Sequence, residues 1–250
     1  MEVNFLFNVG SVSGEVHVDT ANDLSGLDVE QAHFTYTLEN GLSVTMGRYG
    51  SQLGLEREDP AGLSTFSRAY IADYNLGNVD AFNAEGIALS YAAEAWSVGI
   101  SIDNPNAAIN DGANAYAGSL GTIRGNGSKD DLDYEVFVSF TGMENLTVGI
   151  GHRISNLPDA LAGVEVDTTN IHASYVAGKA LIAAEWVGHD VVGTDIDAYQ
   201  VLVDYDISDK LGIAVRYSQY DSALVGTTLF QEEKITIAPN YAITDSLGAI

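Results

Sequence analysis

Hydrophobic and polar residues alternate with period two along almost the whole chain, the signature of strands with one face in an apolar medium. The clearest stretch is 132–140. There Leu132, Tyr134, Val136, Val138 and Phe140 share one face, and Asp133, Glu135, Phe137 and Ser139 share the other. Comparable segments run at 3–9, 12–19, 32–38, 42–49, 85–91, 96–103, 146–153, 169–176, 180–189, 197–205, 211–218 and 234–241, and 247–250 opens a further one. No long stretch carries the 3.6-residue period of a helix. Residues Val9-Gly10-Ser11-Val12 read either as a tight turn or as a bulge inside one long strand, because the facing parity changes there.

The connections alternate in length. Short turns at 39–41, 92–95, 141–145, 177–179, 206–210 and 242–246 take turns with longer segments at 20–30, 50–84, 104–131, 154–168, 190–196 and 219–233. Tight turns on one rim and long loops on the other describe an antiparallel up-and-down meander. Hairpin spacing is irregular, which argues against propeller or solenoid repeats. The expectation is one domain over 1–250.

Alternation alone does not separate a membrane barrel from a soluble lipocalin-like barrel or sandwich, since all three have one apolar face. Three features favour the membrane. The apolar rows, such as Trp96/Val98/Ile100/Ile102 and Tyr199/Val201/Val203/Tyr205, are nearly free of charge, and the exceptions Arg48 and Asp197 are expected at strand ends. Aromatic residues collect at the ends of these rows: Tyr91, Trp96, Phe140, Tyr175, Tyr205 and Tyr241 by the short turns, and Tyr134, Trp186, Tyr199 and Tyr217 towards the long loops. Two such belts are what amphipathic rings form at lipid–water interfaces. The opposite face carries small neutral residues (Ser43, Thr45, Ser90, Ser97, Ser101, Thr147) rather than dense Lys and Glu. We therefore expect an all-β transmembrane antiparallel up-and-down β-barrel of roughly 14–16 strands, with short periplasmic turns and long extracellular loops.

Composition narrows the chemistry. The 250 residues carry 35 acidic against 10 basic side chains, a formal charge of −25, which excludes a nucleic-acid binder that works by displacing counterions. The absence of cysteine excludes disulfides and thiolate sites. His17, His33, His152, His172 and His189 lie on separate strands with no metal-ligand spacing, and no nucleotide or hydrolase motif falls in a suitable context, so neither an enzyme nor a cofactor is expected. Residues 126–133 lack the full ligand spacing of a calcium loop.

An ordered series of short motifs then stands out: Gln31-Ala32-His33-Phe34, Gly47-Arg48-Tyr49, Gly54-Leu55-Glu56 and Ser67-Arg68-Ala69-Tyr70. It resembles bacterial outer-membrane porins of the OmpL-like β-barrel family over about 29–91; elsewhere the agreement is in barrel pattern alone. The resemblance implies an outer-membrane location, passive diffusion of small hydrophilic solutes and assembly compatible with a homotrimer. The chain departs from outer-membrane barrels in lacking an export signal and a terminal aromatic strand, so a mature or partial chain is expected.

Candidate functional residues follow from parity. Segment 50–84 holds Glu56, Arg57, Glu58, Asp59 and Arg68 among apolar Leu53, Leu55, Leu63 and Phe66. It is expected either to fold into the lumen as a pore constriction or to remain a solvated surface loop. Lumen parity places Glu15, Asp133, Glu135, Glu185 and Asp204 against Arg153, Arg216 and Lys234, an acidic excess that predicts weak cation preference. Expected partners are outer-membrane lipid, lipopolysaccharide and small solutes. The alternative is a non-conducting barrel that anchors or adheres.

Overall fold

The computed structural model describes residues 2–20, 27–55, 64–65, 69, 84–103, 132–156, 165–191, 194–224, 227–244 and 247–249. They form fourteen strands: β1 (Glu2–Val9), β2 (Val12–Thr20), β3 (Leu27–Thr37), β4 (Leu42–Tyr49), β5 (Ala84–Ala92), β6 (Trp96–Asp103), β7 (Asp133–Met143), β8 (Leu146–Asn156), β9 (Glu165–Ala177), β10 (Ala180–Val191), β11 (Thr194–Asp206), β12 (Leu211–Leu224), β13 (Thr227–Thr244) and β14 (Leu247–Ala249). Each pairs antiparallel with its sequence neighbour in one continuous sheet from β1 to β14. Among the described residues β1 pairs with β2 alone and β14 with β13 alone. The sheet is the wall of an up-and-down β-barrel.

Residues 9–12 form a tight turn, not a bulge. Val9 pairs directly with Val12, and Gly10 takes φ +63°, a left-handed value that suits a two-residue hairpin.

Which face is wet decides the solvent of this fold, and the burial is inverted relative to a water-soluble protein. Arg153, Arg216, Asn170, Thr168, Asp103 and Asp133 are among the most deeply buried side chains. Ile235, Ile100 and Val201 are 71%, 51% and 48% exposed. The register puts the two sets on opposite faces: Ser101, Glu135, Arg153, Thr168 and His189 form one inward row, whereas Ile100, Val136 and Ile102, Tyr134 pair across the outward face. Large apolar groups in this arrangement need hydrocarbon outside, and the charged ones need a sheltered, hydrated interior.

The ten aromatic residues expected at the rims all lie on the outward face. Near the short turns, Trp96 packs at a tilt on its cross-strand partner Phe140, ring centroids 4.5 Å apart. Towards the other rim, Trp186 donates from Nε1 to Asp197 (2.9 Å), the Tyr199 hydroxyl to Asp221 (3.3 Å), and the Tyr217 hydroxyl to Gln219 (2.7 Å). Each ring keeps its body on the apolar band and its polar tip towards water.

Two expectations need correction. The connections at 190–196 and 219–233 are not long loops: β10 passes to β11 through residues 192–193, and β12 to β13 through 225–226. Asp197 accordingly sits inside β11 rather than at its end. Above the Trp186 and Tyr199 level the outward positions turn acidic (Asp190, Asp195, Asp197, Asp221, Glu233) while backbone pairing continues. Polar side chains on both faces erase the apolar alternation without ending the strand.

Candidate functional site

The site is built where β4 ends. Tyr49 points inward, and its hydroxyl donates to Asp103 on β6 at 2.5 Å. The chain then leaves the wall and lies across its inner surface. Ser51 Oγ donates to Glu135 Oε2 (2.6 Å), and the backbone N–H of Gln52 donates to Glu135 Oε1 (2.8 Å). The Leu53 N–H returns to Ser51 Oγ at 3.1 Å, fixing a compact turn. Leu53 is buried and fills a notch left by Gly151, where a Cβ would sit 2.1 Å from Leu53 Cδ2. Leu55 N–H then reaches Glu185 Oε1 on β10 at 2.9 Å. Further along the same connection, Ala69 packs fully buried against Val187, Ile196, Ala198 and Tyr220 of β10–β12.

Beneath this segment lies a cage of charge. Arg153 donates from Nη1 to Asp103 (3.1 Å) and Glu135 (3.2 Å), from Nη2 to Asp133 (3.1 Å), and from Nε to Ser155 (3.1 Å). Ser101 adds a donor to Asp103 at 2.8 Å. The sequence brings these together because 103, 133 and 135 share inward parity on adjacent strands and Glu135 faces Arg153 directly in register. A planar guanidinium with five donors serves three carboxylates in a way an ammonium would not. Glu185 is held differently: Asn170 Nδ2 (2.7 Å) and Gln200 Nε2 (2.8 Å) donate to it, and among the described residues no cation pairs with it. Among the described residues, Asp103, Asp133 and Glu135 thus share Arg153 as their common cation.

The eight expected lumen residues therefore share the inward face, in two settings. Asp133, Glu135, Arg153, Glu185 and Arg216 are buried in the wall. Glu15 is partly exposed and accepts from His17 Nε2 at 2.9 Å. Asp204 accepts from Asn240 Nδ2 at 3.3 Å, and Lys234 faces Ser218. Nearer the short turns the inner wall between β3 and β4 is lined by hydroxyls, those of Thr35 and Thr45 lying 2.7 Å apart. Glu56, Arg57, Glu58, Asp59 and Arg68 lie outside the described residues.

Sequence reasoning missed Tyr49, Ser51, Asp103, Asn170 and Gln200 as members of this site. Parity alone would have put Asp103, Asn170 and Gln200 on the inward face. Nothing local in the sequence pairs Leu55 with Glu185, because that contact depends on the curvature of the wall.

The family model described as "Putative beta-barrel porin-2, OmpL-like" matches residues 3–249. The chain belongs to this family of β-barrel porins. It is thus a protein of the bacterial outer membrane, and its family is one of channels rather than enzymes. Similar solved folds agree: OmpF of Salmonella typhi, in complex with daunomycin, at 12% identity and TM-score 0.70, covering 99% of this chain and 79% of that one. An anion-selective porin from Comamonas acidovorans matches at 11% identity and TM-score 0.67, covering 98% and 74%. In-vitro folded OmpT of Vibrio cholerae, an outer membrane protein, matches at 15% identity and TM-score 0.60, covering 98% and 80%. No curated protein matches the chain at a significant level.

Proposed function

We propose that this porin passes small hydrophilic solutes and ions by passive diffusion through a water-filled lumen, which the connection between β4 and β5 narrows. The observation that carries the reading is the run Ser51–Leu55, laid across the inner wall from β7 to β10 by hydrogen bonds to Glu135 and Glu185. A polar wall with a strap across it restricts passage by size while leaving a hydrated path. Glu56, Arg57, Glu58, Asp59 and Arg68 follow directly in the sequence and are the candidates for the constriction itself.

The three carboxylates gathered on Arg153 and the chain's −25 favour cations over anions in the lumen. The field is softened by burial of the carboxylates, so the preference is weak. Outer-membrane lipid and lipopolysaccharide contact the apolar band and its aromatic rims; assembly as a homotrimer is supported by the family resemblance.

Swelling of proteoliposomes in isosmotic solutions of sugars of rising size tests the reading. Fast swelling with small sugars and a sharp size limit are expected. Swelling no faster than in protein-free vesicles would instead favour a non-conducting anchor. Reversal potentials under a salt gradient test the sign, and anion preference would refute it.

A further inference from the structure

We propose that Glu185 is the positioning residue for the strap: its carboxylate, set in the barrel wall, catches the Leu55 backbone N–H and holds the segment against the inner wall without itself facing the permeating solute. The inference rests on the porin reading for its consequence, but the capture it describes is a property of the fold.

Glu185 is 4% exposed, so it does not meet lumen water in quantity. A buried carboxylate is costly unless hydrogen-bonded. Its wall donors, Asn170 and Gln200, are neutral. Asn170 is itself oriented, its Oδ1 lying 2.9 Å from His172 Nδ1. The remaining donor comes from 130 residues away in the chain, the Leu55 N–H, on the same oxygen that Asn170 addresses. A charge-assisted bond of this kind is about twice as strong as a neutral one. That gain is available only when the strap is in place.

Gly54 shows how closely the strap is seated. It takes φ +91°, and a Cβ there would lie 2.6 Å from Glu185 Oε1. Only glycine permits both the left-handed backbone and the approach to the carboxylate. Glu135, the other acceptor, belongs to the Arg153 cage, so removing it would disturb the wall as well as the strap. Glu185 has no such cage among the described residues, which makes it the cleaner point of attack.

The chain contains no cysteine, so a single thiol reports the strap alone. Leu53→Cys, buried in the Gly151 notch, is reacted with a bulky maleimide in the folded, detergent-extracted protein, with heat-modifiable migration as the check that the barrel is intact. The expected result is slow labelling with Glu185 present and labelling at least about tenfold faster in Glu185→Ala. Glu185→Gln, which keeps a carbonyl acceptor for the Leu55 N–H, stays within about threefold of the parent. Gly54→Ala, which leaves the wall untouched, accelerates labelling on its own and adds little in the Glu185→Ala background, because both release the same contact. In planar bilayers Glu185→Ala gives larger and noisier open steps, with the reversal potential nearly unchanged. Parent-like labelling in an intact Glu185→Ala or Gly54→Ala barrel overturns the proposal. So does a shifted reversal potential without added noise, which would make Glu185 a pore charge. If no variant conducts, including the parent, the porin reading fails while the labelling result still decides the capture.

Discussion

Replacing Arg153 with methionine strips three buried carboxylates of their common cation. The guanidinium is 1% exposed, and the side chains of Asp103, Asp133 and Glu135 are no more than 2% exposed. Removing one member of a buried ion pair costs roughly 3–5 kcal/mol, mostly the penalty of the charge left behind. Here the remaining carboxylates would also repel one another, so Arg153→Met is expected in the upper part of that range. Arg153→Lys keeps the charge but loses the planar fork that reaches Asp103, Glu135 and Asp133 together, and should fall about midway. Neutralising the cage as a whole (Arg153→Met with Asp103→Asn, Asp133→Asn and Glu135→Gln) should recover most of the loss, since the cage then holds no uncompensated charge. The assay is urea unfolding in phospholipid vesicles, read by the fluorescence of Trp96 and Trp186 and extrapolated linearly to zero urea. An Arg153→Met barrel within about 1 kcal/mol of the parent would refute the reasoning.

Three further outcomes follow from the two faces and the turns. Val201→Lys, on the outward face between Tyr199 and Tyr205, should cost roughly 2–4 kcal/mol of folding free energy in vesicles, and Thr45→Lys on the inward face less than about 1 kcal/mol; equal costs would contradict the orientation. Gly10→Ala should cost about 1–2 kcal/mol through left-handed backbone strain alone, because a Cβ there meets nothing within 4 Å; an unchanged urea midpoint would count against the tight turn. The single-tryptophan variants Trp96→Phe and Trp186→Phe should each be quenched more by lipids brominated near the headgroup than near the chain ends. Stronger deep quenching would remove the two-belt assignment.

The wall was legible in the sequence wherever one face met hydrocarbon. β4 and β6 follow the apolar alternation closely because Leu42, Val44 and Met46, and Trp96, Val98, Ile100 and Ile102, keep a greasy outward row almost to the strand's end. In β11–β13 the same row turns to Asp197, Asp221 and Glu233, and the strands run on past the point where the pattern stops. Period two in hydrophobicity reports a change of medium across the sheet; backbone pairing requires no such change. The inward charges were likewise legible as a set, since parity assigns Asp133, Glu135 and Arg153 to one side. Their company was not. That Ser51 and Gln52 meet Glu135, and that Leu55 meets Glu185, are contacts 84, 83 and 130 residues apart that the curvature of the wall creates.

The central claim is a hydrated passage through a wall that is greasy outside. Single-channel recording of the purified protein in a planar bilayer meets it directly. The account predicts discrete current steps of reproducible size that scale with salt concentration. A membrane that stays silent after insertion of heat-modifiable, folded protein would contradict it.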